Sequence, residues 1–317
     1  MARVFTKGGW VGAVIPILVV GAIFGYFLMP EKVKNEIGQG VSSGPIADLS
    51  LQLDKLPSNK GDHYEIWLRN LEGGEQPIGY FKVMDGGSLV TLAGDPFTAL
   101  SLLDVPRSGA TLLVAVEKGD SPVSERSERI VLQGSFKETS VELKAVLPEI
   151  KGDQVALLAN PTLTKSKGVA GLWFTKDANG VVSGLNLAKL PAGWKYGVFV
   201  VTDKSGKFFL GMFSDANKAD EKSYFGGKKT SWSVPGEDFV ANAPKGVKFP
   251  LELNDGKTQV IVSVEPEYRE FLGNDVKPFL PILQMRIPYH QISGKTFGLE
   301  TVKGETFPIG TGSVIGK

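Results

Sequence analysis

LQLDKLP at residues 51–57 and LNLAKLP at residues 185–191 are two copies of one pattern, LxLxKLP, placed far apart in the chain. An aromatic segment follows each copy, and fifteen residues after its tyrosine comes a glycine, with a phenylalanine two residues later. The matching residues are Tyr64, Gly79 and Phe81 in the first copy and Tyr196, Gly211 and Phe213 in the second. Self-similarity at this spacing indicates a duplicated structural unit. The two glycines are predicted to mark a bulge or a close backbone approach.

The repeat continues further along each copy. Residues 113–117 (LVAVE) correspond to residues 261–265 (IVSVE), and the Leu-Gln pair at 132–133 corresponds to the pair at 283–284. These short runs of apolar, often β-branched residues between turn formers are typical of strands in a sandwich core. We therefore expect a mainly β soluble portion, built as two tandem antiparallel β-sandwiches of immunoglobulin-like type.

The repeat and the composition shifts divide the chain into segments. The first sandwich is predicted at residues 47–137 and the second at 138–292, with an inserted loop at 216–246 that has no equivalent in the first copy. The Gly- and Thr-rich tail at 293–317 has two interpretations, a mobile terminus or a strand-like arm ordered by a neighbour. The expected segments before the first sandwich are a short cytoplasmic segment at 1–9, a transmembrane helix at 10–29 and a stalk at 30–46.

The segment from Trp10 to Met29, WVGAVIPILVVGAIFGYFLM, contains twenty residues and no charge. As a helix it spans roughly 30 Å, the thickness of a hydrocarbon core. Its end has no small-residue cleavage site, so we expect it to stay in the membrane as an anchor in contact with lipid. Arg3 and Lys7 precede it, which favours a cytoplasmic N-terminus and a periplasmic or extracellular bulk.

Two further interpretations concern this N-terminal region. Gly21 and Gly25 form a GxxxG pair through which two helices could self-associate, although small residues are common in membrane helices. The basic leader ending in Lys7, Gly8 and Gly9 resembles the start of type IV pilin-like precursors. The chain lacks the glutamate that many such subunits carry near the mature N-terminus.

Composition excludes several classes of chemistry. The chain has no cysteine and only two histidines, His63 and His290, so disulfides and thiolate metal sites are impossible and a zinc centre has few ligands. The net charge is +1, which lacks the basic excess of a nucleic-acid-binding surface. We expect no nucleic-acid partner and no cofactor.

The candidate catalytic residues have simpler explanations. His63 follows Asp62 in a polar stretch and is predicted to be solvated or at the start of a strand, and His290 receives the same prediction. The acidic group of Glu265, Glu267 and Glu270 is predicted to be a solvated loop. We therefore assign no catalytic, cofactor-binding or metal-binding residue, and a binding site is not identified.

Two further motifs are also predicted to be structural. Asp177, Asn179 and Gly180 are predicted to form a hairpin turn, since the remaining ligands of a calcium loop are missing. The dispersed aromatics are predicted to pack in the core, and they are Trp173, Trp194, Tyr196, Trp232 and Phe279.

The repeated blocks resemble the extracytoplasmic C-terminal domain of the anti-sigma-K factor (RskA-like) family, over residues 47–136 and 140–287. The residues that carry the resemblance are Leu56, Pro57, Tyr64, Trp67, Gly79 and Phe81, then Leu190, Pro191, Tyr196, Gly211, Phe213, Val264, Glu265 and Pro266. The resemblance implies the fold and an extracytoplasmic topology. Members of the family hold a sigma factor through a cytoplasmic domain, often with a His/Cys zinc motif. This chain has nine residues before its apolar segment and no cysteine, so the resemblance does not extend to regulation.

The sequence thus predicts a non-enzymatic, membrane-anchored extracytoplasmic protein that acts by binding other proteins, as an accessory or structural subunit of a membrane complex or cell-surface assembly. Two alternatives remain open. One is a sensor or regulator of the anti-sigma lineage, and the other is a pilin-like filament subunit.

Overall fold

The computed structural model describes residues 47–58, 61–162, 168–226, 232–269 and 277–316. The predicted transmembrane helix at 10–29, the stalk at 30–46 and the Gly21/Gly25 pair lie outside these residues. Across the described ranges, no helix has both the length and the apolar character needed to span a bilayer.

The described residues form a mainly β structure, as the sequence predicts, with one short 3-10 turn at Gly304–Thr306. The strands of the first half are β1 (Ala47–Asp54), β2 (Asp62–Arg69), β3 (Glu75–Val83), β4 (Leu89–Val90), β5 (Ala99–Leu102), β6 (Thr111–Lys118), β7 (Ile130–Lys137) and β8 (Ser140–Ala145). The remaining strands are β9 (Gln154–Leu158), β10 (Gly171–Trp173), β11 (Trp194–Thr202), β12 (Gly206–Phe213), β13 (Gly236–Asp238), β14 (Gln259–Pro266), β15 (Leu280–Arg286), β16 (Thr296–Thr301) and β17 (Ile309–Gly316).

The first sheet has nine strands in the order β4-β3-β2-β6-β7-β8-β17-β1-β5, and each neighbouring pair is antiparallel. The sheet curls so that β5 approaches β3 from the other edge. At this contact Gly79 packs on Leu100, and a methyl group on Gly79 would lie 2.3 Å from Leu100 Cδ2. A side chain at residue 79 would therefore require the Leu100 side chain to shift.

The second sheet has eight strands in the order β12-β11-β14-β15-β16-β9-β10-β13. Its two edges are bridged by residues from the predicted insertion. The amide of Glu221 donates to the carbonyl of Met212 on β12, at 3.2 Å, and the Asp220 carboxylate accepts the amide of Gly236 on β13, also at 3.2 Å. The inserted segment thereby satisfies backbone groups that an open edge would leave unpaired.

Pairing in the two sheets reproduces the sequence repeat residue by residue. Tyr64 lies opposite Phe81 and Tyr196 opposite Phe213, with ring centroids 5.3 and 5.4 Å apart. In both hairpins the register shifts by one residue at a point two residues after the tyrosine. The shift follows Ile66 in β2 and Val198 in β11. The bulge expected beside Gly79 and Gly211 is therefore confirmed in both copies.

The central strands repeat the same geometry. Val114 of β6 lies opposite Leu132 of β7, and Val262 of β14 lies opposite Leu283 of β15. In both pairs the register shifts immediately after the valine. Alignment of bulges as well as residues indicates that the duplication preserved backbone geometry, not only composition.

Two predicted boundaries differ from the observed sheets. The boundary at 137/138 falls in the hairpin between β7 and β8, and β8 belongs to the first sheet. The tail at 293–317 supplies β16 to the second sheet and β17 to the first, where β17 lies between β1 and β8. The strand-like arm is therefore the interpretation that the structure supports, because ladder hydrogen bonds on both sides order β17.

Both sheets contribute to one hydrophobic core. The described residues all belong to one compact unit, Pro45–Lys317. A single contiguous cluster of buried side chains includes Leu49 and Val114 from the first sheet and Val262 and Phe239 from the second half. The two copies thus share apolar contacts in addition to their own sheets.

Candidate functional site

Strand β2 is buried on both faces, which is unusual for a strand of an antiparallel sheet. Tyr64, Ile66 and Leu68 face the shared core. His63 and Glu65 alternate with them and are also fully buried, at 0% and 1% exposure. A second buried layer, polar in character, therefore lies on the outer face of the first sheet.

Glu65 is the centre of this layer. Its Oε1 accepts hydrogen bonds from the Val123 amide at 2.7 Å and from His63 Nε2 at 3.0 Å, and its Oε2 accepts one from Trp67 Nε1 at 3.1 Å. The second ring nitrogen of His63 lies 2.7 Å from the carbonyl oxygen of Gly119. The loop after β6 is thus hydrogen-bonded to β2 through the carboxylate of Glu65.

His63 is held in a site that favours its cation. Burial works to lower its pKa, but the hydrogen bonds to Glu65 and to the Gly119 carbonyl, with the charges of Glu65 and Glu117, raise the pKa above its ordinary value. The predicted position of His63 at the start of a strand is confirmed, because it is the second residue of β2. The alternative of a solvated histidine is wrong, because the loop after β6 covers the side chain.

Glu117, at the end of β6, makes the second carboxylate contact of this layer. It accepts from Arg129 Nη2 at 2.6 Å, from Ser127 Oγ at 2.6 Å and from the Ser127 amide at 3.1 Å. Arg129 also donates from Nε to the carbonyl of Val116 at 3.0 Å. Both oxygens of the buried carboxylate are therefore satisfied.

Glu265 is the counterpart of Glu117 in the second copy, as the repeat predicts. It is fully buried, pairs with Arg269 and accepts the Phe279 amide at 2.7 Å. Burial raises the pKa of Glu265, and Arg269 opposes that shift. The prediction of a solvated acidic loop is therefore wrong at Glu265, although Glu267 is exposed. Glu270 lies outside the described residues.

The polar layer joins the two copies. The guanidinium carbon of Arg129 lies 4.9 Å from the ring centre of Tyr268, which follows β14 of the second copy. Asp62 of β2 faces the same tyrosine: burial raises the pKa of Asp62 to about 6, and the Tyr268 hydroxyl, Arg269, Arg129 and His63 work against the shift. We call this group the junction cluster; its members are Asp62, His63, Glu65, Glu117, Arg129, Glu265, Tyr268 and Arg269.

The hydrogen bonds and ion pairs of the junction cluster have a structural role, because they hold strands and loops together. Each of its buried glutamates has two or more donors, and at least one of these donors comes from a loop. Removing one member of such a buried pair is costly, since the partner charge stays buried. Across the described ranges, no group of three or more His, Cys, Asp or Glu residues is placed to hold a metal ion.

The other predicted positions are structural as well. His290 is exposed in a turn with a φ of 55°, and its ring lies 3.7 Å from that of Tyr289. The Asp177 carboxylate accepts the amides of Asn179 and Val182 at 2.8 and 2.6 Å, which confirms the hairpin turn. Four of the five aromatics are buried, and Trp232 is partly buried against Trp173.

A second group of buried carboxylates was not predicted from the sequence. Asp238 accepts Trp173 Nε1 at 2.8 Å and the Thr162 amide at 2.9 Å. Glu237 accepts Ser223 Oγ at 2.6 Å and the Gly226 amide at 2.9 Å, and burial raises the pKa of both acids. Of the buried carboxylates named above, only Glu117 and Glu265 are marked by the sequence repeat, because they are the shared last residue of LVAVE and IVSVE.

Comparison of the chain with protein-family models, with curated proteins and with solved structures gave no match.

Proposed function

We propose that this protein is a non-enzymatic, membrane-anchored extracytoplasmic subunit that acts by binding other proteins, as an accessory or structural component of a membrane complex or cell-surface assembly. In this proposal the soluble portion consists of two tandem sandwich-like halves of the RskA-like type. The apolar segment at residues 10–29 anchors it, with the N-terminus in the cytoplasm.

One observation carries the proposal: the same buried carboxylate-arginine pair occurs in both copies and stabilises the scaffold. Glu117 pairs with Arg129 and Glu265 pairs with Arg269, at corresponding ends of β6 and β14. A duplicated fold whose buried charges hold its own strands and loops suits a rigid support for surface contacts. The loops and outer faces then carry the function.

The test is recovery of the tagged full-length chain from its native membranes in mild detergent. We expect it to co-purify in a fixed ratio with integral membrane proteins, and the intact mass to include the residues before Trp10. The measurement is mass spectrometry of the recovered chain and of the proteins that accompany it.

Other results would overturn the proposal. Recovery of the chain alone would remove the accessory-subunit role. Recovery as filaments that lack the residues before Gly9 or Trp10 would support the pilin-like alternative, and co-purification with a cytoplasmic sigma factor would support the anti-sigma alternative.

A further inference from the structure

An open groove lies in the second copy, between residues 182–189 and residues 214–218. Its volume is about 770 Å³, and Tyr196 of β11 also lines it. The hydroxyl of Tyr196 donates to the carbonyl of Ala188 at 2.6 Å, which holds the first wall against β11. We call this feature the second-copy groove.

The first copy is different at the equivalent place. There Tyr64 donates to the carbonyl of Pro57 at 2.7 Å, one residue before Ser58. Ser58 Oγ donates to Asp85 at 3.0 Å, across the two walls. Asp85 follows Phe81 by four residues, as Asn217 follows Phe213, so the second copy has an uncharged amide where the first has the carboxylate that joins the walls.

The lining of the second-copy groove is basic. It includes Lys176, Lys189 and Lys218, and among the described residues that line it Asp215 is the one acidic side chain. Asp215 lies 3.6 Å from Lys218 and accepts the Asn217 amide at 2.9 Å, so its charge is already engaged. Lys176 and Lys189 are exposed and form no ion pair with any described residue. A groove with an excess of cations favours an anionic occupant.

The remaining lining residues suit a polypeptide. Val182, which is 52% exposed, and the partly buried Leu187 provide apolar contact, while Asn186 and Asn217 provide amide donors and acceptors. Alternation of apolar contacts with amides and cations matches an extended chain, whose backbone and side chains present both kinds of group.

We propose that the second-copy groove binds an acidic, extended segment of a partner protein. This inference rests on the proposed function and names the partner chemistry for it.

The experiment measures binding of a fluorescent peptide of alternating glutamate and alanine to the full-length chain in neutral detergent, by fluorescence anisotropy. We expect saturable binding that weakens as salt increases, because exposed charges are screened. A peptide of alternating glutamine and alanine is expected to bind at least about tenfold more weakly, because it lacks the charge.

Three variants test the location. Lys176→Glu with Lys189→Glu should weaken binding of the glutamate peptide by roughly tenfold or more, since both charges are reversed. Asn217→Asp places in the groove the carboxylate that the first copy has at Asp85, and it should also weaken binding, because it adds a negative charge. The matched control, Lys137→Glu with Lys144→Glu, reverses two exposed lysines of the first sheet and should bind as the unmodified chain does.

The proposal is overturned if the glutamate peptide does not bind, or if the groove variants bind it as well as the control does. Thermal unfolding of each variant excludes loss of fold as the cause. If membrane partners still co-purify with the groove variant, the groove assignment fails while the proposed function stands. If no partner co-purifies even with the unmodified chain, the proposed function fails.

Discussion

Glu117 and Glu265 each end a central strand with a buried negative charge, at 2% and 0% exposure. A buried carboxylate is tolerated only when donors and a counter-charge replace water. Arg129 supplies the counter-charge in the first copy and Arg269 in the second, from different distances along the chain. Both copies therefore pair the buried glutamate with an arginine, but the arginine lies at a different distance from the glutamate along the chain.

Glu265→Ala should lower the free energy of unfolding by about 3–5 kcal/mol, because Arg269 would remain partly buried without its partner. Glu267→Ala, two residues further on and exposed, is the matched control and should change stability by no more than about 0.5 kcal/mol. Urea denaturation of both variants measures the difference. Equal, small effects would show that the pair does not stabilise the fold.

Asp62 and His63 give stability an unusual dependence on pH. The folded-state pKa of Asp62 is about 6, against an ordinary value of 3.8, so the folded protein keeps a proton that the unfolded chain has released. The contribution of Asp62 to the free energy of unfolding therefore falls as pH rises from about 4 to about 6. The contribution of His63, whose pKa is also raised, is fully present below 6.5 and is lost as pH rises through that raised value.

Asp62→Asn should remove its part of this slope, on the order of 2 kcal/mol between pH 4 and pH 6. Denaturant midpoints measured across that range give the slope directly. Asp54→Asn, at an exposed position at the end of β1, should leave the slope as it is. An unchanged slope in Asp62→Asn would mean that another group titrates in this range.

At the scale of elements, β17 is the clearest case of a strand placed by its neighbours. It lies between β1 and β8 and pairs with both. Gly310 and Gly312 allow this position, because a methyl group on either would come within 2.5 and 2.8 Å of leucine side chains of β1. Of its side chains, Val314 is buried in the core and Ile315 is 61% exposed.

Val314→Ala should therefore destabilise the protein by roughly 1–3 kcal/mol, through lost apolar burial. Ile315→Ala removes a larger side chain from the adjacent position but should cost less than about 0.5 kcal/mol, since that side chain is already in water. Thermal unfolding compares the two. A larger loss in Ile315→Ala would place the opposite face of β17 on the core.

At the scale of the whole molecule, the two sheets are joined by one hydrophobic cluster and by the junction cluster. The chain also crosses between sheets twice, after β8 and again before β17. Both features couple the copies, because the first sheet is incomplete without β17, which follows the strands of the second sheet in the chain. Unfolding in one cooperative step is the expected consequence.

Val114→Ala and Val262→Ala test this coupling, since the two valines are equivalent, fully buried and in different sheets. Each should lower the same single calorimetric transition, by an amount that corresponds to roughly 1–3 kcal/mol. Two transitions, of which each variant shifts only one, would show that the copies unfold independently.

The sequence by itself determined the β class, the duplication and the bulges beside Gly79 and Gly211, since these depend on local pattern and spacing. Burial of His63 and Glu265, the place of β17 and the junction cluster were decided only by the tertiary structure. Each depends on a segment distant in the chain: the loop after β6 covers His63, and β1 with β8 leaves a gap that the C-terminal strand fills. A charged residue in a polar stretch is indistinguishable from a solvated one until the segment that covers it is known, because burial is a property of contacts and not of residue type.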